Sequence, residues 1–318
     1  MSLDFELMWG MRDKHTVETY GKNVAAVHTV IPKLLEKFGQ YRIHATFATV
    51  GLIFFESKNE LIENIPANKP KYFDDNLSPY NGYFSKIGET RDAYHYAPQL
   101  IKKIREYPDC EIGTHTFSHY YCLEGGQTIQ EFEDDLKSAI RIAEKRGIKL
   151  LSLVFPRNQF NDEYIKVCNK LGIICYRGNQ RSWLYEARNN KDESLFRRLL
   201  RFVDSYINLS GHNCYADSFL KKNLPIDVPA SRFLRPYSKK LKLLEGLRLK
   251  RIKSDMLYAA KNQMTYHLWW HPHNFGVNQT ENFLFLEKIL QHYQKLNREF
   301  GFKSYTMSEL TNELSGVR

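Results

Sequence analysis

The sequence predicts an α/β fold of parallel strands joined by helices. Short apolar, β-branched runs alternate with amphipathic segments along most of the 318 residues. Glycines stop several of these segments, as in IHATFATVG (43–51) and EFEDDLKSAIRIAEKRG (131–147). Such alternation implies crossover helices, because parallel neighbours cannot be joined by a two-residue hairpin.

Residues 2–6 read as a short strand. Val24, Val27, Ile31, Leu34, Leu35 and Phe38 recur near the 3.6-residue period, so 19–38 is expected to be an amphipathic helix ended by Gly39. The run 43–51 reads as a buried strand, and the Pro-, Asn- and Asp-rich segment 65–92 as a long surface loop. A helix from Tyr96 to Tyr107 precedes a strand at 110–113. Helix 131–147 leads to strand LLSLVF (150–155), and helix 161–172, capped by Asn161 or Asp162, leads to strand IICYRG (173–178). TYHLWWH (265–271) is strand-like and 282–296 helical, before FKSYTMSEL closes the pattern. There is no repeat of 20–50 residues and no low-complexity tract.

Composition narrows the class. Hydrophobic residues at 42% and aromatics at 14% supply a sizeable core, which excludes a disordered chain. No apolar run reaches the roughly 18 residues needed to cross a bilayer. Acids stand near the N-terminus where a secretory leader would carry lysines, so the expected compartment is the cytoplasm. The cysteines Cys110, Cys122, Cys168, Cys175 and Cys214 are odd in number and form no CxxC pair, so they read as reduced thiols. The net charge of +10 is concentrated in 232–253, where nine Lys/Arg face the single acid Glu245. That run reads either as a solvated helix face or as an attraction to a polyanion such as a phosphate-bearing substrate or a membrane surface.

In parallel α/β folds, reactive residues collect where strands end. Strand 110–113 runs into THTFSH, 150–155 into PRNQ, 173–178 into RGN and 265–270 into HPHN. The first strand, inside SLDFELMWG, carries Asp4 and Glu6. Alternation sends both carboxylates to one side of that strand. His115 and His119 are four apart, and on a helical turn both imidazoles would face one cation. Two imidazoles and a carboxylate suit Zn²⁺, with Fe, Ni or Co as alternatives, and leave coordination positions open. A second carboxylate beside such a site can take a proton from water.

The ordered set SLDFE, HTFSH, FPRNQ and LWWHPH resembles the motifs of the polysaccharide deacetylases, the NodB-homology or carbohydrate esterase 4 family, across residues 2 to about 310. The resemblance implies a distorted (β/α) barrel of about seven parallel strands with surrounding helices. It also implies one domain over 1–318, with a basic helical insertion around 215–260, and divalent-metal-dependent removal of an acetyl group from a sugar. On the motif match Asp4 is the base and Glu6, His115 and His119 hold the metal. Phe5 stands where most members have the second of two adjacent acids, so the pattern is similar to an acid-x-acid subfamily. Arg157 matches the arginine that holds the base, and His271 the histidine that protonates the leaving nitrogen, with His273 as the other candidate. Asn158, Trp183, Trp270 and His273 are the expected substrate contacts. The family's histidine-orienting acid has no counterpart in YRGNQRSW (176–183), where Asn179 is the nearest polar substitute.

The expected substrate is an acetylated sugar of a surface polysaccharide or its precursor, linked to phosphate or a lipid diphosphate if the chain works in the cytoplasm. Peripheral contact of 232–253 with the membrane would accompany that role, and nucleic acid is not the expected partner. Two rivals stay open: hydrolysis of a cyclic, non-sugar amide on the same fold, and a non-catalytic protein that binds a glycan or nucleic acid.

Overall fold

The structure is a computed structural model, and it describes residues 1–186, 194–220 and 224–316. Its strands are β1 (Ser2–Phe5), β2 (Ala45–Thr49), β3 (Cys110–Thr114), β4 (Ser152–Val154), β5 (Cys175–Arg177), β6 (Tyr215–Ala216), β7 (Ile226–Asp227), β8 (Arg232–Phe233), β9 (Met264–Thr265) and β10 (Leu268–Trp270). Its helices are α1 (Val17–Ala25), α2 (Val27–Tyr41), α3 (Lys58–Glu63), α4 (Pro98–Arg105), α5 (Ile129–Lys145), α6 (Asp162–Lys170), α7 (Leu195–Asp204), α8 (Asp217–Leu220), α9 (Glu245–Lys261), α10 (Gln279–Phe300) and α11 (Met307–Ser315). The expected helix 19–38 is two helices, broken at Ala26.

Eight strands form one parallel sheet in the order β7-β5-β4-β3-β2-β1-β10-β8. Its two edge strands, β7 and β8, are separated only by residues 228–231. On one side Val228 N–H donates to Tyr176 O and Ala230 N–H to Gly178 O, both at 2.9 Å. On the other, Ser231 N–H donates to His267 O and Leu234 N–H to Trp269 O, both at 2.8 Å. This segment draws the edges together and curls the sheet into a barrel, which manages the exposed-edge problem. The distorted barrel is therefore observed, with eight staves where about seven were expected.

Two of those staves, β7 and β8, lie inside the region expected to be a basic helical insertion. The same region supplies α9, which packs on α10. Its basic run is only partly solvated. Arg232, Arg248 and Arg251 are buried, whereas Lys239, Lys240, Lys242 and Lys250 are exposed.

Strand parity separates two environments. Leu3, Phe5, Phe47 and Trp270 face outward into the main core with Val30, Ile31, Leu34 and Phe38 of α2. Ser2, Asp4 and the next residue in that alternation, Glu6, face inward. Helices are locked at their starts where they frame the mouth. Thr128 and Glu131 close a reciprocal cap on α5, and Asn161 caps α6 by accepting from Glu163 N and Tyr164 N. The five cysteines are free thiols. Among the described residues no helix is long and apolar enough to cross a membrane.

Candidate active site

Asp4 and Glu6 leave β1 at the C-terminal mouth of the barrel and are both almost fully buried. Asp4 is gripped by Arg177, the last residue of β5, through Nη1–Oδ1 at 2.6 Å and Nη2–Oδ2 at 2.8 Å. Arg177 also donates to Ser2 Oγ (3.1 Å) and Asn158 Oδ1 (3.0 Å), and its guanidinium lies 4.0 Å over the Trp269 ring. Burial pushes the Asp4 carboxyl up. The charge of Arg177 and its hydrogen bonds outweigh burial and hold the group below its ordinary value. Asp4 is thus an ionised carboxylate with a fixed rotamer.

Glu6 is seated by a local device. An added Cβ on Gly10 would lie 2.2 Å from the Glu6 carboxyl carbon and 2.3 Å from Oε2, so only glycine leaves that space. Around the carboxylate, His119 Nε2 lies 3.0 Å and His115 Nε2 3.5 Å from Oε2. His271 Nε2 lies 3.7 Å and His273 Nδ1 3.9 Å from Oε1. Burial again pushes the Glu6 carboxyl up, but the His271 charge and the hydrogen bond from His119 bring it well below the usual range. Burial, partly offset by Glu6, pushes the His119 imidazole down to about 4, so it is neutral near pH 7.

The histidine pair does not sit on a helix. Residues 115–121 form an irregular turn in which Thr116 and His119 both have positive φ, 63° and 62°. Buried Asp135 of α5 pins this turn by accepting from Phe117 N (2.7 Å), Ser118 N (3.1 Å) and Ser118 Oγ (2.5 Å). The expectation that the pair shares a face holds through this scaffold rather than through helical spacing.

These three side chains fit a divalent cation. Glu6, His115 and His119 each offer one ligand atom, and all three atoms lie within 4.8 Å of one another. His115 Nδ1 must donate to Val154 O at 2.8 Å, because a carbonyl only accepts. In the neutral ring its Nε2 lone pair therefore points at a Glu6 oxygen, an arrangement that a cation between them makes favourable. Tetrahedral ligands about 2.0–2.2 Å from Zn²⁺ would lie roughly 3.3–3.5 Å apart, close to the 3.0 and 3.5 Å between Glu6 Oε2 and the two imidazoles.

His271, directly after β10, reaches 3.7 Å from Asp4 Oδ2 and is about a quarter exposed. Its Nδ1 lies 3.3 Å from Asn274 Oδ1. Asn179, the partner suggested by the sequence, instead donates to Asn158 O. His273 is buried and stacks on His271 with centroids 4.9 Å apart, and burial pushes its ring down to about 3.

Two expected contacts are corrected. Arg157 does not touch Asp4; it pairs with Asp13 and with Glu124 (2.9 Å) and lies 4.0 Å over Tyr121. After β4, Arg157 and Asn158 both take positive φ, 55° and 52°, and the turn carries Arg157 away while Asn158 reaches Arg177. Trp270 is fully buried against Phe38 and Phe275. Trp269 takes the place at the mouth, lining a cavity of about 290 Å³ with Asn158, Asn179, Phe233, Arg235 and His271. Trp183 is 61% exposed and does not line that cavity. A larger cavity of about 360 Å³ opens at the opposite end of the strands, by Met1, Ile43 and Tyr266, away from every residue of this cluster.

Sequence reasoning missed Arg177, Gly10 and Asp135. For Arg177 a signal existed, since it sits at a strand exit in the same way as Arg157.

A carboxylate–imidazole cluster at the C-terminal mouth of a curled parallel barrel defines a (β/α)-barrel protein with a candidate hydrolytic centre. A Mycobacterium smegmatis protein assigned to the polysaccharide deacetylases shares this fold, with a TM-score of 0.61 at 11% identity over 99% of this chain and 89% of that one. A 4-alpha-glucanotransferase from Thermococcus litoralis aligns with a TM-score of 0.51 at 12% identity, over 98% of this chain but 40% of its own. No curated protein matches the chain. The polysaccharide deacetylase family model matches residues 12–176, and the chain belongs to that family. The matched span contains His115, His119 and Arg157, and lies between Asp4 and Glu6 on one side and Arg177 on the other.

Proposed function

We propose that the chain is a divalent-metal-dependent deacetylase that removes an acetyl group, most simply N-acetyl, from a sugar of a surface polysaccharide or its precursor. The observation that carries this is convergence. Glu6, His115 and His119 offer ligand atoms within 4.8 Å of one another, with ionised Asp4 and half-buried His271 beside them. A cation held by those three, Zn²⁺ by the chemistry of the set, would supply Lewis acidity and acidify bound water. Asp4, kept charged by Arg177, accepts the proton of the attacking water. The water oxygen bonds to the acetyl carbon, and as the C–N bond breaks the nitrogen takes a proton from His271. The products are acetate and the free amine. An amine leaves poorly as an anion, so the acid beside the base is required.

The same residues would open a cyclic amide. Acetate release from N-acetylglucosamine oligomers, run against a panel of cyclic ureides, separates the two readings. Full activity in a His115→Ala/His119→Ala double variant would end both.

The substrate's link to phosphate or a lipid diphosphate, and work at the inner membrane face, are further parts of this proposal. Exposed Lys239, Lys240, Lys242 and Lys250, with Leu243 at 89% exposure among them, support them. Salt-sensitive binding to vesicles containing anionic lipid tests the membrane part.

A further inference from the structure

The cavity beside His271 is lined by a guanidinium, that of Arg235, with no ion-pair partner among the described residues. Strands β8 and β10 pair with Arg232 opposite Leu268 and Phe233 opposite Trp269. Continuing that register puts Arg235 beside His271, at strand exits about 4.8 Å apart. The other three arginines of this run are paired: Arg232 with Asp204 (3.2 Å) and Asp255 (2.8 Å), Arg251 with Asp255, and Arg248 with Glu245. Arg235 has no carboxylate at ion-pair distance among the described residues. Its Nε donates to Ser205 Oγ at 2.7 Å, its guanidinium lies 5.3 Å over Phe202, and it lines the cavity. Burial, together with the nearby cations Arg201 and Arg248, holds its pKa below the ordinary arginine value. An incoming anion would relieve that cost.

The wall beside Arg235 is aromatic. Phe233 and Trp269 have ring centroids 4.7 Å apart, and His271 lies 5.8 and 5.7 Å from them. Aromatic rings beside this guanidinium, with Phe233 and Trp269 tilted 52° to one another, suit one sugar ring that bears an anionic substituent. The volume, about 290 Å³, lies at the small end of ligand pockets, which run from about 300 to 1,000 Å³.

We infer that Arg235 sets specificity for an anionic substrate, a sugar whose carboxylate or phosphate rests on this guanidinium while its acetyl group lies against Asp4 and His271. This rests on the deacetylase reading, so binding is measured apart from turnover. Calorimetry on the full chain at low salt compares N-acetylglucosamine with its 1-phosphate and with N-acetylmuramic acid, which adds a carboxylate. At least one of the two anionic sugars binds tenfold or more tighter than the neutral one, and which one does so identifies the charged group. Arg235→Gln cuts that preference below threefold, whereas Arg235→Lys keeps part of it; melting curves verify folding of both. Equal affinities in the unmutated chain, or a preference that survives in folded Arg235→Gln, would overturn the inference. Arg235-dependent binding with no acetate released from any probe would sink the deacetylase reading alone. Acetate release with no preference for charge would sink the anion site alone.

Discussion

Replacing Arg177 by glutamine removes the charge that keeps Asp4 ionised inside the barrel. The pair is bidentate at 2.6 and 2.8 Å, and both side chains are buried. Breaking a buried ion pair by deleting one partner costs about 3–5 kcal/mol. With an unfolding entropy of roughly 2 cal/mol/K per residue, that lowers the melting temperature of a chain this size by roughly 4–8 °C. The pH dependence has a definite sign. In the unmutated chain the Asp4 pKa is depressed, so its contribution to stability is present above the unfolded value of 3.8 and lost as pH falls through the lower folded value. In Arg177→Gln burial loses its main opponent and the carboxyl moves up, so the stability deficit is largest at neutral pH and closes below about pH 4. The acid limb of kcat/KM, which reports the base in the free enzyme, rises by about 1–3 pH units, the shift an adjacent arginine typically causes. The assay is acetate release across pH 4–9 beside thermal melts at the same pH values. Arg157→Gln is the control, because Arg157 pairs with Asp13 and Glu124 instead. An acid limb that moves in Arg157→Gln and stays in place in Arg177→Gln would refute the assignment.

Three further outcomes follow from packing at the site. Gly10→Ala drives a methyl into the Glu6 carboxylate, the far end of a flexible side chain, so metal affinity falls at least tenfold while the melting temperature drops little. Asp135→Asn removes part of a three-donor acceptor site; expect a loss of about 1–3 kcal/mol by denaturant unfolding and a 10–100-fold weaker metal affinity, since the turn carrying His119 loosens. Trp270→Ala costs about 3–5 kcal/mol as a core cavity, whereas Trp269→Ala spares the core and raises KM; the opposite assignment would reverse the placement of the two rings.

How much of this was legible from sequence depended on whether a rule fixed parity and partner. Alternation alone placed Asp4 and Glu6 on one side of β1, and the His115–His119 spacing placed two ligands together, although an Asp135-pinned turn rather than a helix does the work. Alternation requires Trp269 and Trp270 to face opposite ways, but does not say which faces in. The register decides this: Trp269 pairs with inward Ser2 and Trp270 with outward Leu3. The signal was present, since His271 and Trp269 are two apart and must share a face. Arg157 and Arg177 both stand at strand exits, and no spacing rule tells which one bends toward Asp4. The positive φ at Arg157 and Asn158 does. The basic run 232–253 stayed open between a solvated face and a polyanion site because two of its neutralising acids, Asp204 and Asp255, lie outside it in sequence.

The most direct measurement is elemental analysis of untagged protein after equilibration with a limiting divalent metal. One ion per chain is predicted for the unmutated protein, and less than a tenth of that for Glu6→Gln and for His115→Ala/His119→Ala, each shown to be folded by its melting curve. Retention of a full equivalent by both variants, or no ion held by the unmutated chain, would contradict a shared cation at Glu6, His115 and His119.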